Sequence, residues 1–281
     1  MDSTTSLLSD TLKLAPSELF VADLKNMTMY YKDFVGLEIL ESSKDSVLLG
    51  QNHVGIIKLI SKPKLTHAGP REAGLFHNAI VFDSRGELSR VAGNLIAAIP
   101  QSFSGTGDHL VSEAFYFNDP ENNGVELYFD RPRDTWQWHN GHVMMDTLYI
   151  DPIEYIQTYS SDRTSQDKKL GHVHLKVGDV QEARKFYIDL LGFNVTAYVP
   201  GALFVSIGGY HHHIGLNSWM STGAGIRTPS LGLSEVTITL GNENNVSNLA
   251  KRLEAAKHTF TYKNGKIRVA DPWGNSLTFT V

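Results

Sequence analysis

Cysteine is absent from all 281 residues, which removes disulfides, thiolate metal ligands and thiol nucleophiles together. Any metal must be held by His, Asp or Glu. Positive charge is not in excess either. Lys and Arg number 25 against 30 Asp and Glu, a formal net charge of −5 with no block of like charges. No basic stripe is available to neutralise phosphates or an anionic bilayer, so neither nucleic acid nor membrane is an expected partner. No apolar run reaches the roughly 20 residues of a membrane-spanning helix. The opening MDSTTSLLSDTLKL has neither the positive start nor the sustained apolar stretch of a secretory leader, and the expected location is the cytoplasm. What is there is an ordinary globular composition, 41% hydrophobic and 20% charged, long enough for two compact domains of modest size.

The chain repeats itself. LFVADLKNMTMYYKDFVGLE (19–38) lies over LKVGDVQEARKFYIDLLGFN (175–194) at a constant offset of 156, matching Val21 with Val177, Asp23 with Asp179, Tyr31 with Tyr187, Asp33 with Asp189 and Gly36 with Gly192. Each copy reads as a short alternating strand, an Asp suited to cap a helix, an amphipathic helix and a terminal Gly. A second pair alternates with the first: GLFHNAIVF (74–82) with GLSEVTITL (232–240), closed by DPENNGVELYF (119–129) and DPWGNSLTFTV (271–281). The order is A, B, A′, B′, each unit a strand, a helix and two or three strands joined by Gly/Asn turns. The expected division is an N-terminal half, 1–132, with modules at about 12–62 and 74–132; a linker, 133–168, within a polar stretch that belongs to neither repeat; and a C-terminal half, 169–281, with modules at about 169–220 and 231–281.

Strand alternation sorts the polar residues. At 172–177, His172, His174 and Lys176 share one face and Val173, Leu175 and Val177 the other. At 125–129, Glu126 and Tyr128 oppose Val125, Leu127 and Phe129, and Tyr116 with Asn118 opposes Phe115 and Phe117. The triplet His211, His212, His213 in YHHHIGLNSW is open to three readings: an accident of composition, a metal cluster or a proton relay. Extended straight through it, alternation puts His211 and His213 on one face and His212 on the other.

GHVHLKVGD opening one unit and DPxxxxxE closing another, on four strand–helix–strand repeats over residues 12–281, resemble the vicinal oxygen chelate superfamily (glyoxalase, bleomycin resistance protein, dioxygenase). Within it the pattern is most similar to the extradiol catechol 2,3-dioxygenases. The resemblance implies an α+β fold of four βαβββ modules forming two curved mixed-sheet cups. It implies a metal on His77, His172 and Glu126, a set suited to Fe(II) with Mn(II) as a substitute. Units A and B′ carry Pro16, Glu235 and Thr278 at the corresponding positions, so only B and A′ can hold the ion. The better-known dioxygenase layout takes its ligands from the last two units; here either the two middle units share one cup or the pairing is permuted.

By the same resemblance His213 is the acid–base group, Tyr116 holds the substrate oxygen, and His109 is a further group beside the metal. His174, His211, Trp136 and Trp138 are candidate substrate contacts. The tryptophans would cap an apolar pocket, with core or interface packing an equally good reading, and His211 and His212 also fit simple strand packing. The implied activity is cleavage of a small aromatic diol by O2, opening the ring to a semialdehyde-type product; a homo-oligomer is compatible with it. The alternatives are a glyoxalase-like lyase or isomerase, a thiol transferase, or a non-catalytic protein sequestering an aromatic ligand. A four-ligand isomerase needs a carboxylate from the end of A′, and no Asp or Glu stands between Asp189 and Glu235.

Overall fold

The computed structural model describes residue 8, residues 12–161 and residues 165–281. Module A runs β1 (Lys13–Val21), α1 (Leu24–Met29), β2 (Glu38–Ser42), β3 (Ser46–Gln51) and β4 (Val54–Ser61). Module B runs β5 (Gly74–Phe82), α2 (Arg85–Ala98), β6 (Phe103–Asp108), β7 (Ser112–Asn118) and β8 (Gly124–Asp130). The linker carries a short hairpin, β9 (Trp138–His139) and β10 (His142–Val143), then α3 (Pro152–Tyr159). Module A′ has β11 (Lys168–Lys176), α4 (Val180–Arg184), β12 (Asn194–Val199), β13 (Ala202–Ser206) and β14 (Ile214–Asn217). Module B′ has β15 (Gly232–Thr239), α5 (Glu243–Ala255), β16 (Phe260–Lys263), β17 (Lys266–Ala270) and β18 (Ser276–Thr280).

Local chemistry explains the repeats. Asp23 and Asp179 each accept a backbone N–H, from Asn26 and Glu182, and so satisfy donors that a helix start leaves free. Both helices then loosen into a π-helical turn, Tyr30–Phe34 and Lys185–Leu190, and stop at Gly36 and Gly192, whose φ of 80° and 93° suit a residue without Cβ. The loosened turns carry Tyr31 and Tyr187, fully buried. Their hydroxyls donate to Asp119 at 3.0 Å and Asp271 at 3.1 Å, the aspartates of the two D-P turns. One A-type helix is thereby tied to the following B-type strand pair in each half.

In every module the first strand runs parallel to the last. The two sheets have eight strands each, in the orders β16-β17-β18-β15-β1-β4-β3-β2 and β12-β13-β14-β11-β5-β8-β7-β6. Modules A and B′ therefore make one sheet and B and A′ the other, joined antiparallel at β1 with β15 and at β5 with β11. The two middle modules do share a sheet, and each sheet draws one module from each half of the sequence. One continuous apolar core runs through both, from Leu19 and Tyr31 to Val173, Leu175 and Phe279. No helix among the described residues is long and apolar enough to cross a membrane.

Candidate metal centre

The cup of the B–A′ sheet is assembled by register. On β5, Ala79 stands between Glu126 of β8 and His172 of β11, while His77 is opposite His174. A small side chain at the centre, with long polar ones on the flanking strands, leaves a space into which two imidazoles and one carboxylate can lean. Gly124 faces His77 across the ladder, where a Cβ would come within 2.2 Å of the Phe76 carbonyl.

The three ligands expected from the sequence converge. His77 Nε2 lies 2.9 Å and His172 Nε2 3.2 Å from Glu126 Oε2, and the two imidazole nitrogens are 3.3 Å apart. Ligand atoms on bonds of about 2.1 Å at right angles sit about 3.0 Å from one another, so the triangle fits one face of an octahedral ion and leaves the opposite positions open. Among the described residues this is the only such cluster of His, Asp and Glu. All three side chains are buried, and an uncompensated carboxylate would be costly there. Burial works against the Glu126 carboxylate, yet His172 and His77 outweigh it and hold the group well below the usual range. Burial pushes the His172 ring down to about 4, with Glu126 opposing, which keeps it neutral as metal binding requires.

A cavity of about 480 Å³ opens over this triangle, walled by Phe76, Phe204, Val199 and Trp219, with Met145, Asp146 and Thr147 from the linker. Tyr116 and His109 line it and are joined at 2.6 Å. His109 Nδ1 donates to the Asp146 carbonyl at 2.8 Å, which leaves Nε2 as the nitrogen that meets the Tyr116 hydroxyl. Burial and the adjoining Glu126 carboxylate push the Tyr116 hydroxyl well above its ordinary range, so it stays protonated at the cup. His174 also lines the cavity, its Nε2 accepting from Asn217 at 3.0 Å.

Other expectations need correction. His213 does not line the cavity; its Nδ1 is bonded to Ser206 Oγ at 2.7 Å and its ring packs at a tilt against Tyr210. His212 lines it instead, with its ring 4.1 Å from that of His172. Regular strand structure starts at Ile214, with His213 still backbone-bonded to Val205 and Val173; alternation assigns a residue to a face of the sheet but not to one cavity on that face. His211 is fully buried behind His212 rather than in the cavity wall. Trp136 is buried on Tyr210 and His211 and donates to the Arg131 carbonyl at 2.9 Å. Trp138 is 43% exposed. Neither caps the cup. The linker does supply wall residues, but ones whose types, Met145 and Thr147, carry no signal.

The linker is fixed over the cup by hydrogen bonds to module B. Glu113 takes Arg85 at 2.7 Å, Arg131 at 3.0 Å and the Tyr155 hydroxyl at 2.8 Å, and Asp108 and Leu148 exchange backbone hydrogen bonds at 2.8 and 2.9 Å.

Comparison with known proteins agrees with this architecture. Residues 169–279 match the Glyoxalase/Bleomycin resistance protein/Dioxygenase superfamily model. A Bacillus subtilis protein named catechol-2,3-dioxygenase is 34% identical over 290 residues, covering 99% of this chain and all of that one. The chain belongs to the glyoxalase/bleomycin resistance/dioxygenase, or vicinal oxygen chelate, superfamily. Two solved structures share its fold at low identity. A putative dioxygenase from Bacillus subtilis has a TM-score of 0.64 at 10% identity, over 95% of this chain and 84% of that one. Glyoxalase I from Zea mays has a TM-score of 0.56 at 15% identity, over 96% and 92%.

Proposed function

We propose that the protein is a metal-dependent extradiol dioxygenase that opens a catechol-type ring with O2, using Fe(II) on His77, His172 and Glu126. The observation that carries the reading is the facial triangle of two imidazoles and one carboxylate beneath an apolar cavity, a donor set that leaves adjacent positions for a chelating diol and O2. Bound iron would hold both reactants in contact and carry electrons from ring to oxygen. Mn(II) satisfies the same donors.

The chain's own groups supply the rest. Phe76, Phe204, Val199 and Trp219 exclude water and receive the ring. Tyr116, with its proton engaged by His109, presents an acceptor to a substrate hydroxyl and fixes the diol in one orientation. His212 lines the cavity and His213 does not, so His212 is the residue to receive a hydroxyl proton; burial, reinforced by the neighbouring His172 and His211, lowers its pKa and keeps the free ring unprotonated. The glyoxalase-like isomerase calls for a fourth ligand, a second carboxylate, and Glu126 is the only carboxylate in the cluster formed by the described residues.

The test is anaerobic loading with Fe(II), followed by oxygen uptake and the appearance of a yellow ring-opened product across a small panel of catechols. Consumption of one O2 per ring opened supports the reading. Silence across the panel with tight binding of an aromatic ligand points to a sequestering protein.

A further inference from the structure

The histidine triplet continues away from the cup as a directed chain of hydrogen bonds. His212 Nδ1 meets His211 Nδ1 at 2.7 Å, and His211 Nε2 meets Asp130 Oδ1 at 2.8 Å. The other oxygen of Asp130 accepts the Tyr210 hydroxyl at 2.8 Å, and Tyr210 is bonded to Tyr128 at 2.7 Å. Asp130 is the far end of a row on β8, Glu126, Tyr128, Asp130, in which alternate residues share a face. The row that supplies the carboxylate ligand therefore also supplies the anchor of the chain. The packing is close: beside His172, a Cβ on Gly171 would lie 1.8 Å from the Tyr128 hydroxyl. His211 is wholly enclosed, whereas the Asp130 side chain is 23% exposed, so the chain runs from the cup to the edge of solvent.

Directionality follows from the acceptor at the end. A carboxylate only accepts, so His211 Nε2 carries a proton toward Asp130. With that ring neutral, its Nδ1 is a lone pair, and the proton on the 2.7 Å bond belongs to His212 Nδ1. The remaining nitrogen of His212 is then bare. We propose that Asp130 and His211 are positioning residues that fix His212 as its Nδ1–H tautomer, so that an unprotonated Nε2 is presented to the cup. A doubly protonated His211 would reverse the arrangement, giving His212 an Nε2–H donor and no acceptor for a substrate proton. The consequence for turnover rests on the ring-cleavage reading; the tautomer itself does not.

The experiment is 15N NMR of the side-chain nitrogens in full-length, metal-free protein, with His212 assigned by His212→Gln, combined with steady-state kinetics of the iron-loaded enzyme. In wild type, the His212 Nε2 resonance is expected at the position of an unprotonated imidazole nitrogen. Asp130→Asn can donate to His211 Nε2, which turns both rings around, so His212 Nε2 should move to the protonated position. With that change kcat should fall by at least about 100-fold, the scale of acid–base assistance, while KM and iron content stay within about twofold. His211→Gln, which breaks the chain without touching Asp130, should also lose the Nδ1–H preference and serves if Asp130→Asn does not fold. A protonated His212 Nε2 in wild type overturns the inference, as does an Nε2 signal that neither variant moves. Correct tautomer shifts without any catechol turnover would leave the inference standing and count against the ring-cleavage reading alone.

Discussion

The Nε2 atoms of His77 and His172 face one another across 3.3 Å, with one oxygen of Glu126 within 3.2 Å of both. Three donor atoms crowd on one point, and a cation placed between them is bound by all three in place of the protons they would otherwise share. Divalent metal should therefore stabilise the fold. At a free concentration near 100 times its dissociation constant the gain is about 2.7 kcal/mol, read as a rise in Tm on adding Fe(II) or Mn(II) under argon and a fall on chelation. In Glu126→Ala the metal-dependent difference should vanish.

Tyr116→Phe removes an acceptor at the cup but no ligand. Iron content should be unchanged, while kcat/KM drops about 10- to 100-fold, the worth of one hydrogen bond to a charged partner. His109→Gln should give a smaller loss in the same direction, since it acts on the Tyr116 hydroxyl at 2.6 Å. Iron analysis beside initial rates separates these effects from a lost metal site.

How far the sequence carried is clear at particular residues. His77, Glu126 and His172 sit on regular strands, where period-two alternation and the repeat frame locate a side chain to its face, and they meet as expected. The repeat also matches Tyr31 with Tyr187, but that each would tie to the aspartate of a D-P turn is a tertiary contact that no local pattern announces. His213 is backbone-bonded to Val205 and Val173 at the start of its strand, yet its ring is taken by Ser206 away from the cavity, because alternation fixes a face and not a position along it. For Trp136 and Trp138 the sequence left pocket and core packing open, and Trp136 takes the packed position. A linker has no period, so which of its residues turn inward is decided by tertiary anchors, here Glu113 and Asp108, that lie far from it in sequence.

Those anchors are testable. Glu113 has a side chain only 8% exposed and two guanidinium partners, and Arg85 and Tyr155 hold its carboxyl below the usual range against the opposing effect of burial. Glu113→Ala leaves those groups unmatched and should cost about 3 kcal/mol in urea unfolding. Hydrogen exchange should accelerate across residues 144–159 before it does in β5 or β11.

Acid stability offers a check that does not involve the metal ligands. Burial pushes the His213 ring down to about 3, with His211 and Arg133 adding to the effect. The unfolded chain, with an ordinary His near 6.5, binds this proton while the native protein does not. Native stability should fall as pH drops from about 6.5 toward 3, by about 1.4 kcal/mol per pH unit for this one proton. His213→Gln, able to keep a bond to Ser206, removes that contribution. Its stability relative to wild type should therefore improve steadily below pH 6, followed by urea unfolding at a series of pH values.

The most direct measurement is iron content and oxygen consumption, taken together, on wild type, His172→Ala and Glu126→Ala after anaerobic Fe(II) loading and removal of free metal. One iron per wild-type chain, with O2 consumed in step with catechol ring opening and both lost in the two variants, is the predicted result. Equal iron retention in all three proteins, or an iron-loaded wild type that consumes no oxygen with any catechol, would contradict it.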